Sequence, residues 1–348
     1  MRKSNSFTFT LRSDPREELI HLGERRSLKL LLQILRTGRP AREIPVREKD
    51  SPRLYREFLQ LLRNRGLPLP AAETMPTALE PTIRELIRRD PREQLVLGVD
   101  PAGERVELDL VSYPHTFIGG STGGGRTVLL ETIFDQAVLS DRVELWVADG
   151  LRVDFAGYPL REQDRYAHRP EELAEMLQDL LIEARSKKRR LEDEFKRSYW
   201  ELEDSPRAIF LGISEATRFF GDREGLPGSE AMLLEELSGL FGELLELSPG
   251  LGIHVFVESA RLRLSESFDE LMDSFQNRIL VGRADSRVQN HVLGALSKFS
   301  DRLLLPRGRA VRGLGGNQEL FQGYRVPRKV LESELGAAAN RAYNYGNE

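Results

Sequence analysis

The sequence contains no cysteine. Disulfides, thiolate metal centres and cysteine nucleophiles are therefore excluded. Histidine is scarce as well. His21, His115, His168, His254 and His291 are too far apart in sequence to form a metal-binding spacing. No apolar run approaches the roughly twenty residues of a membrane-spanning helix. Met1-Arg2-Lys3-Ser4-Asn5-Ser6 lacks the apolar stretch of a signal peptide. A cytoplasmic protein with no membrane partner is the expectation. Neither sign of charge dominates: 51 basic and 55 acidic residues leave a net charge of −4. Overall charge thus does not mark a nucleic-acid binder, and any such activity must rest on local patches. The 348 residues are 40% hydrophobic and 30% charged, enough for one large packed domain or for one domain with an appendage.

Against these absences one motif stands out. Gly120-Ser121-Thr122-Gly123-Gly124-Gly125-Arg126-Thr127 has the spacing G-x-x-x-x-G-K-[ST], with Arg at the Lys position. Glycines let backbone N–H groups curl around phosphate oxygens, and a following helix presents its N-terminus to the same anion. His115-Thr116-Phe117-Ile118-Gly119 reads as a short strand entering the loop. Val128-Leu129-Leu130-Glu131-Thr132-Ile133-Phe134 reads as the helix leaving it. The residues Gly120, Ser121, Thr122, Gly123, Gly124, Gly125, Arg126 and Thr127 are accordingly the candidate nucleotide-binding set. Arg keeps the positive charge of the usual Lys but is bulkier and forked. The alternative is a glycine-rich strand–helix turn without a ligand.

The rest of the chain falls into an N-terminal stretch and an alternating region. Residues from about 14 to 90 read as helical and rich in Arg and Glu. Helix candidates lie at 28–35, 54–62 and 82–89, and residues 71–81 read as a linker. Strand candidates follow at 95–99, 117–119, 143–148, 208–213, 254–257 and 278–281, most of them separated by helices. Such alternation implies an α/β fold with a mainly parallel sheet covered on both faces. Ligands then sit at the carboxyl ends of the strands.

Further motifs flank the loop. Leu97-Gly98-Val99-Asp100 with Asp109-Leu110 reads as an entry hairpin, and Pro114-His115 precedes the glycines. Val147-Ala148-Asp149-Gly150 ends one strand, and Ala208-Ile209-Phe210-Leu211-Gly212-Ile213-Ser214-Glu215 ends another. Gly252-Ile253-His254-Val255-Phe256-Val257-Glu258-Ser259-Ala260-Arg261 and Asp285-Ser286-Arg287 with Gly294-Ala295 follow. In this order, over roughly residues 95 to 327, they resemble the motor domain of the FtsK/SpoIIIE translocases. That resemblance implies a RecA-like P-loop NTPase using ATP and Mg²⁺. It further implies a homo-oligomer, with a hexameric ring as candidate form, around double-stranded DNA without sequence preference.

Three positions depart from the family pattern. Arg126 replaces Lys, Ser214 replaces the Asp that orients Mg²⁺ through water, and Ala260 replaces a Gln that senses the γ-phosphate. Thr127 retains a hydroxyl for Mg²⁺. Glu215 stands where the water-activating carboxylate sits. Arg287 and Arg261 are candidates for charge stabilisation, Arg287 across a subunit interface. Losing an electrostatic contributor at such a site commonly costs about 10²–10³-fold, so weak hydrolysis is expected.

Several residues carry two readings. Glu215 is a catalytic carboxylate or a strand-end cap. Asp149 caps a strand–helix turn in the commoner role for Asp. Arg287 is an intersubunit group or the partner of a surface acid. The run Arg185-Ser186-Lys187-Lys188-Arg189-Arg190 reads as a solvated helix face. Arg307, Arg309 and Arg312 crowd a glycine-bearing segment ending at Gly315-Gly316, which reads as a DNA-contacting pore loop or as a basic surface turn.

The organisation expected is a helical region at 1–90 open to a protein partner, a P-loop ATPase domain at 91–330 and a tail at 331–348. Three functions compete. One is a translocase-like, nucleotide-binding protein of plasmid, conjugative or mobile-element DNA handling. Another is a degenerate ATPase serving as a secretion-ATPase-like scaffold. The third is a DNA-binding module without turnover.

Overall fold

The computed structural model describes residues 7–12, 17–22, 75, 79–204, 206–222, 224–260, 265–297, 299, 304–314 and 317–345. The chain divides into two units, Met1–Met75 with Lys298–Leu303 and Pro76–Ser297 with Leu304–Glu348. In the first unit the described backbone is an antiparallel hairpin of β1 (Phe7–Arg12) and β2 (Glu17–Leu22). A strand therefore occupies 17–22, where helix was expected from about residue 14. The Phe/Thr alternation of β1 favours an extended chain, and β2 completes its ladder. The helices expected at 28–35 and 54–62 lie outside the described residues.

The second unit opens on a short helix, α1 (Ile83–Leu86). Its start is fixed by a reciprocal cap. The Thr82 hydroxyl accepts from the Glu85 N–H at 3.2 Å, and the Glu85 carboxylate accepts from the Thr82 N–H at 2.9 Å. Ten strands then build one sheet. They are β3 (Gln94–Val99), β4 (Arg105–Asp109), β5 (His115–Gly120), β6 (Val143–Asp149), β7 (Arg165–Ala167), β8 (Ala208–Ser214), β9 (Ile253–Ser259), β10 (Asn277–Val281), β11 (Arg309–Leu314) and β12 (Asn317–Gly323). Their order is β4-β3-β12-β11-β10-β5-β9-β8-β6-β7. From β10 to β7 all pairings are parallel, and every strand expected there from the sequence is present. The β4, β3, β12 and β11 side is antiparallel.

Helices cover both faces. The helices are α2 (Arg126–Val138), α3 (Pro170–Asp193), α4 (Thr217–Phe220), α5 (Gly228–Leu247), α6 (Glu266–Leu271), α7 (Ser286–Leu293) and α8 (Arg328–Tyr345). On one face α2 packs Leu130, Ile133 and Phe134 onto Leu145, Val147, Phe210 and Phe256. Phe134 lies so close to β8 that a Cβ on Gly212 would stand 1.9 Å from its ring. On the other face Phe117, Phe220, Phe241, Phe268 and Phe275 form a cluster of stacked and tilted rings. The basic run on α3 is largely the solvated face expected, with Arg185, Ser186, Lys188 and Arg189 exposed, but one member turns inward. Lys187 is buried and donates to the Arg207 carbonyl, while Arg185 and Arg190 are ion-paired with Glu243 and Glu194.

Polar bonds hold α2 in place. Gln136 accepts from the Val96 N–H at 2.9 Å and donates back to the Val96 carbonyl at 3.0 Å, bridging the irregular step in β3. Thr132 donates to the Tyr324 carbonyl at 2.9 Å, and Tyr158 donates to Asp135 at 2.7 Å. Each of these groups is buried, so each must find a partner inside the protein. Together they set the position of the helix N-terminus, where the glycine loop ends. Among the described residues no helix is long and apolar enough to cross a membrane.

Candidate nucleotide site

The loop begins where β5, buried along its whole length, runs out of sheet. Gly120, Gly123 and Gly125 have φ of 141°, 75° and 109°, a region costly for residues with a Cβ. Space demands glycine at the first of them too, since a Cβ on Gly120 would lie 2.1 Å from the Val281 carbonyl oxygen. The loop closes on itself through Gly124 N–H to the Ser121 carbonyl at 3.1 Å. It is braced from outside by Gly308 N–H to the Gly124 carbonyl at 2.7 Å. Gly125 then caps α2 without a side-chain hydrogen bond, and no acidic residue lies in the first turn. The helix N-terminus thus keeps its amides open to an anion.

A cavity of about 560 Å³ opens beside this loop. Gly123, Gly125, Arg126 and Thr127 line it on one side, Arg307, Gly308, Tyr324 and Arg325 on the other. The glycine cradle, the open helix end and a cavity of ligand size fit a nucleotide.

Arg126 does not simply point at that cavity. It is the first residue of α2, and its Nη1 lies 2.8 Å from Glu258 Oε1 on β9. The two side chains are 7% and 2% exposed. The two atoms form a buried ion pair, each charge shielded from solvent and facing the other. The other Glu258 oxygen is 3.2 Å from the Ser214 hydroxyl and accepts from the Glu215 N–H at 3.0 Å. Burial pushes the Glu258 carboxyl up from the ordinary carboxylate range, while the Arg126 charge holds it down. The Ser214 hydroxyl also lies 3.3 Å from Asp154, whose carboxyl is raised by burial and by the nearby Asp149.

Sheet order explains the meeting. Strand β9 lies between β5 and β8, with Ile118 opposite Glu258 and Ile213 opposite Val257. A side chain at the end of β9 therefore sits between the phosphate loop and Ser214. The sequence reading passed over Glu258, although a carboxylate closing the apolar run Ile253-His254-Val255-Phe256-Val257 was a signal that burial there required a partner.

The remaining site residues are placed as follows. Glu215 follows β8 with φ of 50°, and its carboxylate accepts from the Thr217 hydroxyl at 2.6 Å. Asp149 accepts from the N–H groups of Leu151, Arg152 and Phe155, the capping role. Arg287 is exposed in the first turn of α7, which Asp285 caps through the Val288 N–H at 2.9 Å. Arg261 lies outside the described residues.

The three arginines read as one basic loop are separated. Arg307 is exposed and lines the cavity. Arg309 is 2% exposed in β11 and donates to Gln322 on β12 at 3.0 Å. Arg312, further along β11, is bound to Glu319 at 2.6 Å and to the Glu107 carbonyl. The segment is a hairpin inside the central sheet. Its arginines spend their donors on neighbouring strands.

No family model matches the chain. Among curated proteins, it is 28% identical over 98 residues to the DNA translocase FtsK of Chlamydia muridarum, covering 27% of this chain and 12% of that protein. It is 31% identical over 67 residues to FtsK of Chlamydia pneumoniae, covering 18% and 8%. The chain thus matches only about an eighth of the length of the first of these relatives.

Among solved structures, the pCW3 conjugation coupling protein TcpA, in its monomer form with ATPγS, superposes with a TM-score of 0.66 at 17% identity. That match covers 95% of this chain and 94% of TcpA. ATPases 2 and 3 of EssC from Geobacillus thermodenitrificans give 0.61 at 14% identity, covering 78% and 52%. The chain has a P-loop NTPase fold, and in fold and motif order it resembles the FtsK/SpoIIIE-type ATPases, with Arg126 and Ser214 where that pattern carries Lys and Asp.

Proposed function

We propose that this chain is an FtsK-like nucleotide-binding subunit of plasmid, conjugative or mobile-element DNA handling, with weak ATP hydrolysis. The observation that carries the reading is the glycine cradle joined to the uncapped N-terminus of α2 and opening on a cavity of about 560 Å³. Gly123, Gly124, Gly125 and the first amides of α2 would hold the phosphates, and Thr127 would add its hydroxyl. Leu79, Val128 and Tyr324 would wall the rest of the ligand. ATP, when bound, supplies the phosphoanhydride whose cleavage drives such proteins.

Weak turnover follows from what surrounds the cradle. Ser214 offers no carboxylate, Glu215 is engaged by Thr217, and the Arg126 charge is matched by Glu258. The exposed position of Arg287 suits a group reaching a neighbouring subunit in a homo-oligomer, with duplex DNA as the partner of the assembly.

The test is an ATPase assay with and without duplex DNA, run beside calorimetric nucleotide binding. Nucleotide is expected to bind, and turnover to stay below about 1 s⁻¹, the low end of ordinary enzyme rates. Absence of ATP and ADP binding would overturn the nucleotide reading. Turnover at tens per second would overturn the claim of weak hydrolysis. A second reading, a nucleotide-binding scaffold without DNA-linked turnover, is favoured by the buried Arg126–Glu258 pair. A chain that binds nucleotide yet stays monomeric and indifferent to DNA would decide for it.

A further inference from the structure

Three side chains from three elements meet under the phosphate loop: Arg126 of α2, Ser214 of β8 and Glu258 of β9. In the pattern that the sequence resembles, the carboxylate stands at the end of β8, and β9 reads G-I-H-L-V-L-A-T-Q-R against residues 252–261, with Ala at the Glu258 position. Here the two are exchanged. Ser214 is neutral and Glu258 is the acid, so the formal charge of the set, one cation and one anion, is unchanged. The carboxylate has moved by one strand, about 4.8 Å, towards the loop strand. Arrangement and charge balance are both kept, which is displacement and not erosion.

The move changes what the site offers a metal. Mg²⁺ demands near-ideal octahedral oxygen ligation and is usually held by one or two carboxylates beside the phosphates. The carboxylate nearest the loop faces the Arg126 guanidinium at 2.8 Å and accepts from the Glu215 N–H. Glu215 is drawn to Thr217, and Asp154 faces the Ser214 hydroxyl. Among the described residues no group of three acidic, histidine or cysteine side chains is arranged to hold a metal. Beside the loop Thr127 offers Mg²⁺ only a neutral hydroxyl, while a fixed organic cation is already in place.

Resting on the nucleotide reading above, we propose that Glu258 is a positioning residue that holds Arg126 as the built-in cation of this site, so that nucleotide binds without a divalent metal. Arg126 also lines the cavity beside the loop, which places its guanidinium at the edge of the space the phosphates would enter.

The experiment titrates the full chain with a fluorescent ADP analogue, in excess MgCl₂ and in excess EDTA. The two affinities are expected to agree within about threefold, less than the tenfold that corresponds to 1.4 kcal/mol. A loss of tenfold or more in EDTA overturns the inference and leaves the nucleotide reading standing. Absence of binding in both buffers overturns both. This comparison uses the wild-type protein alone, so it holds whatever any variant does to folding.

Two variants test the role of Glu258 itself. Glu258→Gln unpairs Arg126 and is expected to tighten binding about fivefold at low salt, with a steeper salt dependence. A purely structural role would weaken binding or leave it unchanged. The triple variant Arg126→Lys, Ser214→Asp, Glu258→Ala returns the carboxylate to β8. It is expected to make binding metal-dependent by about tenfold or more, and a triple variant that binds equally in EDTA counts against the proposal.

Discussion

The Arg126–Glu258 pair should be among the most sensitive points in the second unit. At 2.8 Å and an effective dielectric near 20, the gross attraction is about 6 kcal/mol. Desolvating two ions that are 7% and 2% exposed takes back several kcal/mol for each, so the intact pair adds little net stability. Removing one partner is different, because the other charge stays buried without a counter-ion. Glu258→Ala should therefore lose about 3–5 kcal/mol of unfolding free energy. At roughly 2–4 °C per kcal/mol in a domain of this size, the midpoint falls by about 6–20 °C. Arg126→Met should lose a similar amount. The double change Arg126→Met with Glu258→Leu should recover most of it, since neither charge remains. The assay is a double-mutant cycle by urea and thermal unfolding, each with and without nucleotide. Phosphate should restore part of the loss in Glu258→Ala by giving Arg126 a new partner. A loss below about 1 kcal/mol for Glu258→Ala, or a double variant as unstable as the sum of its parts, would refute the reasoning.

Three other outcomes are expected. Gly212→Ala should cost about 1–3 kcal/mol through collision with Phe134, and adding Phe134→Leu should relieve it in denaturant unfolding. Burial raises the Asp135 carboxyl to about 7, above its unfolded value, so its contribution to stability is present at low pH and lost as pH rises through 7. Asp135→Asn should remove a decline on the order of a few kcal/mol between about pH 4 and pH 7, read by unfolding across that range. Arg309→Ala should lower the melting temperature, because it removes the buried donor to the Gln322 Oε1, whereas Arg307→Ala should leave melting unchanged and weaken nucleotide binding measured by calorimetry.

The parallel half of the sheet was legible because its strands are buried on both faces and read as continuous apolar runs, as in β6 and β8. The glycine loop was legible because its conformation restricts residue type at Gly120, Gly123 and Gly125. The β11–β12 hairpin was hidden. Arg309, Arg312, Glu319 and Gln322 look like surface residues in sequence, yet they bond across the pair and to β4. Glu258 was hidden for another reason. Its meaning depends on the order of strands in space, and no local pattern states that β9 lies between β5 and β8.

Helix α2 is fastened at three levels: to β3 by Gln136, to the chain after β12 by Thr132, and to the segment after β6 by Asp135 and Tyr158. A rod tied to three separate walls cannot slide or turn without breaking all three ties. It therefore behaves as a post rather than a lever. The turn at Gly308 is tied elsewhere: one bond joins it to the phosphate loop, while the Gly323 N–H and the Gln322 side chain tie it to β12. Loop and post are therefore anchored to different parts of the sheet, and hydrogen exchange should show binding at the loop slowing the Gly308 amide while the amides of α2 stay as they were.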